Sequence, residues 1–392
     1  MSGFAGTKYK WPMFWPYIPD RDILLDELNT TLDSRWLGQG PKVDRFERQF
    51  AAHFDAAHAV AVNSCTAALH ISYVLAGISP SDYVISPVFT CTATNHMLLQ
   101  REARILFADV EQETLNIDPR HVNDLLSRYP VKAIIGVHIG GDPCSIMELL
   151  SLGEIHNVPV IFDAAQALGA VYDGESICAD HNCGFATAFS FQAIKHMTCG
   201  DGGMLCTPMG ASEQADRARQ LRWFGIDRER RNKEFDWQPW KNRGITVDQY
   251  EPGFKYQMTD IAACFGLVGL KYIDSIVEHR RKVASVYRKY LAGTSGITLL
   301  RDDAETPGWE SSYSLFGMLV EDRDDFCKAL GEREVETSVV QLRNDLYSVF
   351  GGTRQELPNM NEVEDKYVYI PMNPMITEDD AQEIALEIRK GW

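Results

Sequence analysis

The stretch GFATAFSFQAIKHMTCGDGGMLCT, residues 184–207, sets a single lysine between two apolar runs. The first run ends at Ser190, Lys195 follows, and a turn carrying Gly200, Gly202 and Gly203 leads into the second. Such a pattern reads as strand, loop, strand, with an amine held close to a core. Lysine is seldom buried without a partner. Burial lowers its pKa towards neutrality, and the neutral amine is a nucleophile. Taken alone, a solvated loop lysine is the ordinary reading. A lysine that forms a Schiff base with an aldehyde is the sharper one, and the rest of the chain decides between them.

Working outward, the chain alternates. The pattern predicts strands at 58–62, 83–86, 105–110, 131–137 and 158–162, with helices over 64–75, near 96–101, 119–126 and 146–156. Strands alternating with helices of about 10–15 residues imply a parallel sheet covered on both faces. In such a sheet the ligand site lies beyond the carboxyl ends of the strands. Chemically useful residues do follow these runs: Ser64 and Thr66 after the first, Asp163 and Gln166 after VPVIF, and Ser190 before Lys195. A long helix is expected over about 274–290, and the texture changes from about Lys271. The division expected is therefore an N-terminal arm (1–20), a large α/β domain (21–270) and a smaller α+β domain (271–392). The arm is rich in Trp, Tyr and Pro, as a segment that packs on something, such as another subunit, would be.

Composition narrows the function classes. Of 392 residues, 45% are hydrophobic and 24% charged, which is ordinary for a soluble globular protein. A net charge of −17 argues against a nucleic-acid or anionic-membrane partner. Nine cysteines form no CxxC pair and suit free thiols in a reducing cytoplasm. The ten histidines are scattered, so no metal site is expected. No signal peptide and no membrane-length apolar run stands out.

An aldehyde cofactor captured by Lys195 needs its phosphate held and its ring nitrogen kept protonated. Cys65-Thr66-Ala67, at a strand-to-helix junction, offers first-turn N–H groups and a hydroxyl for a phosphate, and Ser190 offers a second hydroxyl. Thr66 as a plain helix cap is the alternative. Asp163, ending a buried strand, suits a protonated pyridine nitrogen, the feature that makes pyridoxal phosphate an electron sink. An N-cap or a structural ion pair is the alternative there. Gln166, one helical turn on, is placed for the ring hydroxyl or for a substrate.

RWLGQGPKVDRFERQFA, AVNSCTAALHIS, VISPVFTCTATN, VHIGGDP, VPVIFDAAQALGA, SFQAIKHMTCGDGGMLCT, GFKYQMTDIAACFGLVGL and YVYIPMNPMITEDDAQEI together resemble the DegT/DnrJ/EryC1/StrS sugar aminotransferases. The resemblance spans nearly the whole chain and is most specific around Lys195. It implies an α/β fold type I enzyme dependent on pyridoxal 5'-phosphate, with a three-layer large domain on a mostly parallel sheet. It implies Lys195 as cofactor lysine and proton-transfer base, Asp163 at the ring nitrogen and Gln166 near the ring oxygen. Thr66, Ala67 and Ser190 would meet the phosphate. It further implies a homodimer with shared active sites, in which Lys255 reaches the neighbour's phosphate. The reaction implied moves an amino group, with L-glutamate as donor, to a nucleotide-linked keto sugar, most simply a 4-keto-6-deoxyhexose.

The chain departs from the family pattern in places. Where members place an aromatic against the cofactor ring, Cys91 stands here, with Phe89 as the other candidate. A subset of the family has histidine in place of the lysine and dehydrates its sugar at C3. Here the lysine is kept and His196 follows it, which favours transfer; a non-catalytic cofactor-binding regulator is a further alternative. The basic, aromatic segment 219–244 reads as a nucleotide-diphosphate loop, with Arg222 and Arg228 as substrate contacts. Arg343 is a further candidate for the diphosphate, with a solvated loop arginine as its alternative.

Overall fold

The computed structural model describes residues 8–227, 249, 251–301 and 306–392. The large sheet is built from β1 (His58–Val62), β2 (Tyr83–Pro87), β3 (Arg104–Ala108), β4 (Val131–Val137) and β5 (Val160–Asp163). A small ribbon, β6 (Val171–Tyr172) and β7 (Glu175–Ser176), precedes the last two strands, β8 (Ala186–Ser190) and β9 (Gly203–Thr207). The order across the sheet is β1-β9-β8-β5-β4-β2-β3. Only β9 runs antiparallel to its neighbours, so the other six strands all end at one edge. That edge gathers the residues after β1, β2, β4, β5 and β8, together with the start of β9.

Among the described residues, eight helices pack around this sheet or lead away from it: α1 (Arg21–Ser34), α2 (Pro41–His53), α3 (Cys65–Leu75), α4 (Thr92–Gln100), α5 (Pro119–Arg128), α6 (Ile146–His156), α7 (Ser212–Leu221) and α8 (Asp260–Leu291). Strand side chains alternate between faces: Ile134 and Phe162 join the core beneath α2, α5, α6 and α8. Ile135 and Ile161 join the core beneath α3, α4 and α7. Each face carries a buried apolar cluster, which gives the three-layer architecture expected from the alternating pattern.

Helix α8 departs from the sequence reading. It starts at Asp260 rather than near 274, because Thr259 caps it by accepting from the Ala262 N–H at 3.2 Å. Buried Asp260 also caps α2 by accepting from the N–H groups of Gly40, Lys42 and Val43. Gly266 and Gly269 leave room for Phe46 and Met197 against the helix; an added Cβ would approach these side chains to 2.7 and 2.8 Å. The first half of α8 therefore belongs to the large core and its last turns to a second one. That second core lies on the antiparallel sheet β10 (Ile297–Leu299), β11 (Phe316–Val320), β12 (Tyr367–Ile370). Residues 270 and 271, where the sequence suggested a division, lie inside this continuous helix.

The described part of the N-terminal arm, from residue 8 on, packs on its own chain. Trp11 is buried, pairs through its backbone with Glu334 and Glu336, and donates its indole N–H to Asp380 at 2.9 Å. No helix among the described residues is long and apolar enough to cross a membrane.

Candidate active site

A cavity of about 410 Å³ opens at the edge where the six strands end, and Lys195 lines it. Topology explains the position: β8 and β9 are antiparallel neighbours, so the loop 191–202 that joins them must turn at this edge. Gly203 faces Ser190 across one strand pair and Val62 across the other. A Cβ there would lie 2.4 Å from the carbonyl carbon of Ser64, so only glycine lets β9 pass the start of α3. The loop is thereby drawn against the helix N-terminus.

Asp163 ends β5 on the cavity floor, buried and held in place by hydrogen-bond donors. The Thr94 hydroxyl donates to one carboxylate oxygen at 2.7 Å, and the Ala165 N–H donates to the other at 3.0 Å. The Thr90 and Thr94 hydroxyls are 2.9 Å apart, so Thr90 backs the first contact. The Cys65 thiol lies 3.8 Å from the same carboxylate. Among the described residues no arginine, lysine or histidine forms an ion pair with Asp163, and burial pushes its carboxyl pKa up. The site thus holds a fixed, buried acid without an ion-pair partner among the described residues, with Lys195 close enough to act on it electrostatically.

Ser64 caps α3 by accepting from the Ala67 N–H at 3.1 Å. That contact corrects one expectation: the Ala67 N–H is committed to the cap, and Ala67 does not line the cavity. Thr66 does line it, as does Ser190. The N–H groups of Cys65 and Thr66 open the helix and have no intrahelical acceptor. Gln166 is oriented by its acceptor: the Gly140 N–H donates to Oε1 at 2.7 Å, which leaves the amide N–H₂ to face the cavity. Cys91 is exposed and lines the cavity at the start of α4. Phe89 is fully buried against Tyr367 at 4.8 Å between ring centroids, so it is no substitute for a stacking aromatic.

His196 is turned away from the cavity, its Nε2–H donating to the Ser312 carbonyl at 2.8 Å, and burial keeps it neutral. His138, which lines the cavity, is held down to about 3 by burial. The folded state therefore takes up fewer protons than the unfolded chain below a histidine's ordinary value near 6.5. The contribution is fully present above that value and is lost as pH falls from it towards about 3. Asp163 and Glu111 (pushed up to about 7) have the opposite sign, because burial favours their protonated forms. In His138→Gln, the urea-derived stability difference between pH 7 and pH 5 is expected to shrink by about 2 kcal/mol. An unchanged difference would exclude His138 as a source of acid sensitivity.

A family profile described as the DegT/DnrJ/EryC1/StrS aminotransferase family matches residues 20–389. The chain belongs to this family. Within it, the spore coat polysaccharide biosynthesis protein SpsC of Bacillus subtilis (strain 168) is 32% identical over 392 residues, covering 96% of each chain. The sugar aminotransferase CalS13 from Micromonospora echinospora superposes with a TM-score of 0.87 at 29% identity, covering 97% of this chain and 100% of that one. DesV of S. venezuelae, solved in complex with a ketimine intermediate, gives a TM-score of 0.85 at 27% identity, covering 98% of both. The fold is that of the fold type I aminotransferases.

In this DegT/DnrJ/EryC1/StrS chain, two of the three arginines proposed as substrate contacts are spent elsewhere. Arg222 is buried, with its guanidinium on Glu47 and on the Ala61 carbonyl at 2.8 Å. Arg228 lies outside the described residues. Arg343 commits all its donors: two to Asp345, and the others to Asn361, Glu364 and the Gln355 carbonyl. It anchors the C-terminal segment instead of meeting a ligand. Arg343→Met is expected to cost about 3–5 kcal/mol, because it strands the buried Asp345 carboxylate. Denaturant titration checks this, and a variant of wild-type stability would return Arg343 to the substrate side. Lys255 is exposed, does not line its own chain's cavity, and holds its ammonium 3.8 Å from the Trp223 ring centroid.

The sequence reading missed Thr94, which orients Asp163, and Gln341 and Tyr347, which form part of the cavity wall. Thr94 sits two strands away from Asp163 across the sheet, on the helix after β2, so nothing local flags it.

Proposed function

We propose that this family member is a pyridoxal 5'-phosphate-dependent aminotransferase. Its reaction moves an amino group from L-glutamate to a nucleotide-linked keto-deoxy sugar, most simply a 4-keto-6-deoxyhexose, for surface polysaccharide or glycoside biosynthesis. The observation that carries the reading is the buried Asp163 carboxylate, without an ion-pair partner among the described residues, facing the same cavity as Lys195. A carboxylate in that state is costly unless a cation completes it, and a protonated pyridine ring nitrogen is such a cation. The residues present therefore fit the cofactor.

The bound cofactor would supply an electron sink for negative charge at the donor's α-carbon. The remaining roles fall to this chain. Lys195 Nζ would hold the cofactor covalently, then take the proton from the donor's α-carbon and return it on the other side of the transfer. Asp163 would keep the proton on the ring nitrogen. The Thr66 and Ser190 hydroxyls and the N–H groups of Cys65 and Thr66 at the start of α3 would hold the phosphate. Gln166 would donate its amide N–H to the ring oxygen. Cys91 would pack on the ring as a small, polarisable group.

A homodimer with shared sites gives exposed Lys255 a phosphate to meet as a point charge across the interface. Nine free cysteines suit a cytoplasmic enzyme. The deciding assay supplies glutamate with a panel of nucleotide-linked keto sugars. Amino-sugar and 2-oxoglutarate are expected in equal amounts; dehydration of the sugar without consumption of glutamate would replace the aminotransferase reading with a 3-dehydratase.

A further inference from the structure

Lys195 and His196 are neighbours that face opposite sides of one loop. Lys195 lines the cavity, while His196 is only 1% exposed and lies behind it. The loop is tied to itself at its base. The Phe191 N–H donates to the Gly202 carbonyl at 2.9 Å, and the Cys199 N–H donates to the Phe191 carbonyl at 2.8 Å. The tip is a turn in which the Lys195 N–H donates to the Gln192 carbonyl at 3.0 Å. These ties fix the root and the curl of the loop; its tilt depends on what the next two side chains meet. Met197 packs on α8 at Gly269. His196 reaches a segment more than a hundred residues away, its Nε2–H donating to the Ser312 carbonyl at 2.8 Å. A carbonyl only accepts, so Nε2 carries the proton.

Ser312 is a joint between this loop and Gln166. Its N–H donates to the Gly141 carbonyl at 3.0 Å, and its hydroxyl donates to the Gln166 carbonyl at 3.4 Å. The Leu315 N–H donates to the Gly140 carbonyl at 3.0 Å, and the Gly140 N–H donates in turn to Gln166 Oε1 at 2.7 Å. A Cβ at Gly141 would approach Ser312 Oγ to 2.7 Å and the Gln166 carbonyl oxygen to 2.9 Å, so these segments are in close contact. Two arginines of α8 clamp the flanks. Arg280 donates to the carbonyls of Tyr313 and Ser314 at 3.0 and 3.1 Å, and Arg281 donates to that of Ser311 at 3.0 Å. The segment 311–315 therefore holds Gln166 on one side and, through His196, the Lys195 loop on the other.

The shared joint bears on the cofactor. The aldehyde and the ring hydroxyl of pyridoxal phosphate stand on adjacent ring carbons, so the groups that meet them must keep a fixed offset from each other. Under the proposed function Lys195 meets the first and Gln166 the second. A misplacement of about 1 Å is enough to cost roughly 10²-fold in rate. We infer that His196 is a positioning residue for Lys195, setting the offset of the lysine from Gln166 through the Ser312 carbonyl. The inference rests on the aminotransferase reading.

It is tested with His196→Leu, which fills much of the ring's space without a donor, and His196→Gln, whose amide can place an N–H near the position of Nε2. Capture of pyridoxal phosphate by the apoprotein is timed by the growth of the lysine-dependent absorption band. Amino transfer from glutamate is timed in a single turnover over a range of glutamate concentrations. In His196→Leu, capture and the limiting turnover rate are each expected to fall roughly 10-fold, with the half-saturating glutamate concentration unchanged. His196→Gln is expected to stay within about threefold of the wild type in both, because the donor is kept. A purely structural histidine would lower the thermal midpoint of His196→Leu but leave capture and limiting rate of the folded variant at wild-type values. That result would overturn the inference, as would an equal loss of both rates in His196→Gln. If His196→Leu yields no folded protein, His196→Met is measured in its place with the same outcomes. A wild-type protein that forms no lysine-dependent band, or takes no amino group from glutamate, would overturn the aminotransferase reading and this inference with it. An active wild type with unaffected variants would overturn the inference alone.

Discussion

Replacing Lys195 with alanine is expected to lower amino transfer by roughly 10⁴-fold or more, since one side chain is removed from both nucleophilic and proton-transfer roles. No neighbour stands in for it. His196, next in sequence, faces the opposite way and donates to the Ser312 carbonyl, and burial holds it neutral. His138 lines the cavity, but its Nδ1 is occupied by the Cys144 N–H. The variant should fold normally, because Lys195 is only half-buried and its amine makes no ion pair among the described residues. Two measurements check this: steady-state transfer from glutamate, and the visible absorption of protein incubated with pyridoxal phosphate. Loss of turnover together with the lysine-dependent band is the expected pair of results. A variant with turnover near that of the wild type would remove Lys195 from the mechanism, and the aminotransferase reading with it.

Asp163→Asn is expected to lower kcat by about 10²–10⁴-fold with little change in stability. The asparagine is nearly isosteric and can still accept from the Thr94 hydroxyl or the Ala165 N–H, which now hold the carboxylate at 2.7 and 3.0 Å. What it loses is negative charge at the cavity floor, and with it the means of keeping a ring nitrogen protonated. Removing a buried charge that has no ion-pair partner among the described residues costs the free protein little. A sharp fall in kcat at an unchanged thermal midpoint therefore separates a role in the chemistry from a role in folding. A wild-type kcat would show that charge at this position is irrelevant to the reaction. Thr94→Val gives an intermediate case, since it leaves the carboxylate in place but removes the shortest of its orienting contacts.

Much of the large domain was legible in the chain. Strands at 58–62 and 131–137 and the helix at 146–156 match the structure to the residue. Parallel strands buried on both faces leave long apolar runs between punctuating turns, and local pattern is enough to find them. The start of α8 was missed because its first turns carry Gly266 and Gly269, which weaken a helical pattern unless Phe46 and Met197 are known to pack there. The arginines failed for a related reason. Charge is visible in sequence, but its partner is not: Glu47 lies 175 residues from Arg222, and Glu364 lies 21 residues from Arg343.

The sequence by itself determined the alternation of strands and helices, and therefore which residues stand just beyond strand ends: Ser64, Thr66, Asp163, Ser190 and Lys195. Those positions depend on hydrophobic periodicity and turns, which are local properties. Contacts in three dimensions alone show that Asp163 has no ion-pair partner among the described residues, that the Ala67 N–H is spent on a cap, and that Arg222 and Arg343 hold the fold together. Each of these is a question of which polar group finds a partner. That is settled by contacts between segments far apart in the chain, whose distances no local pattern encodes.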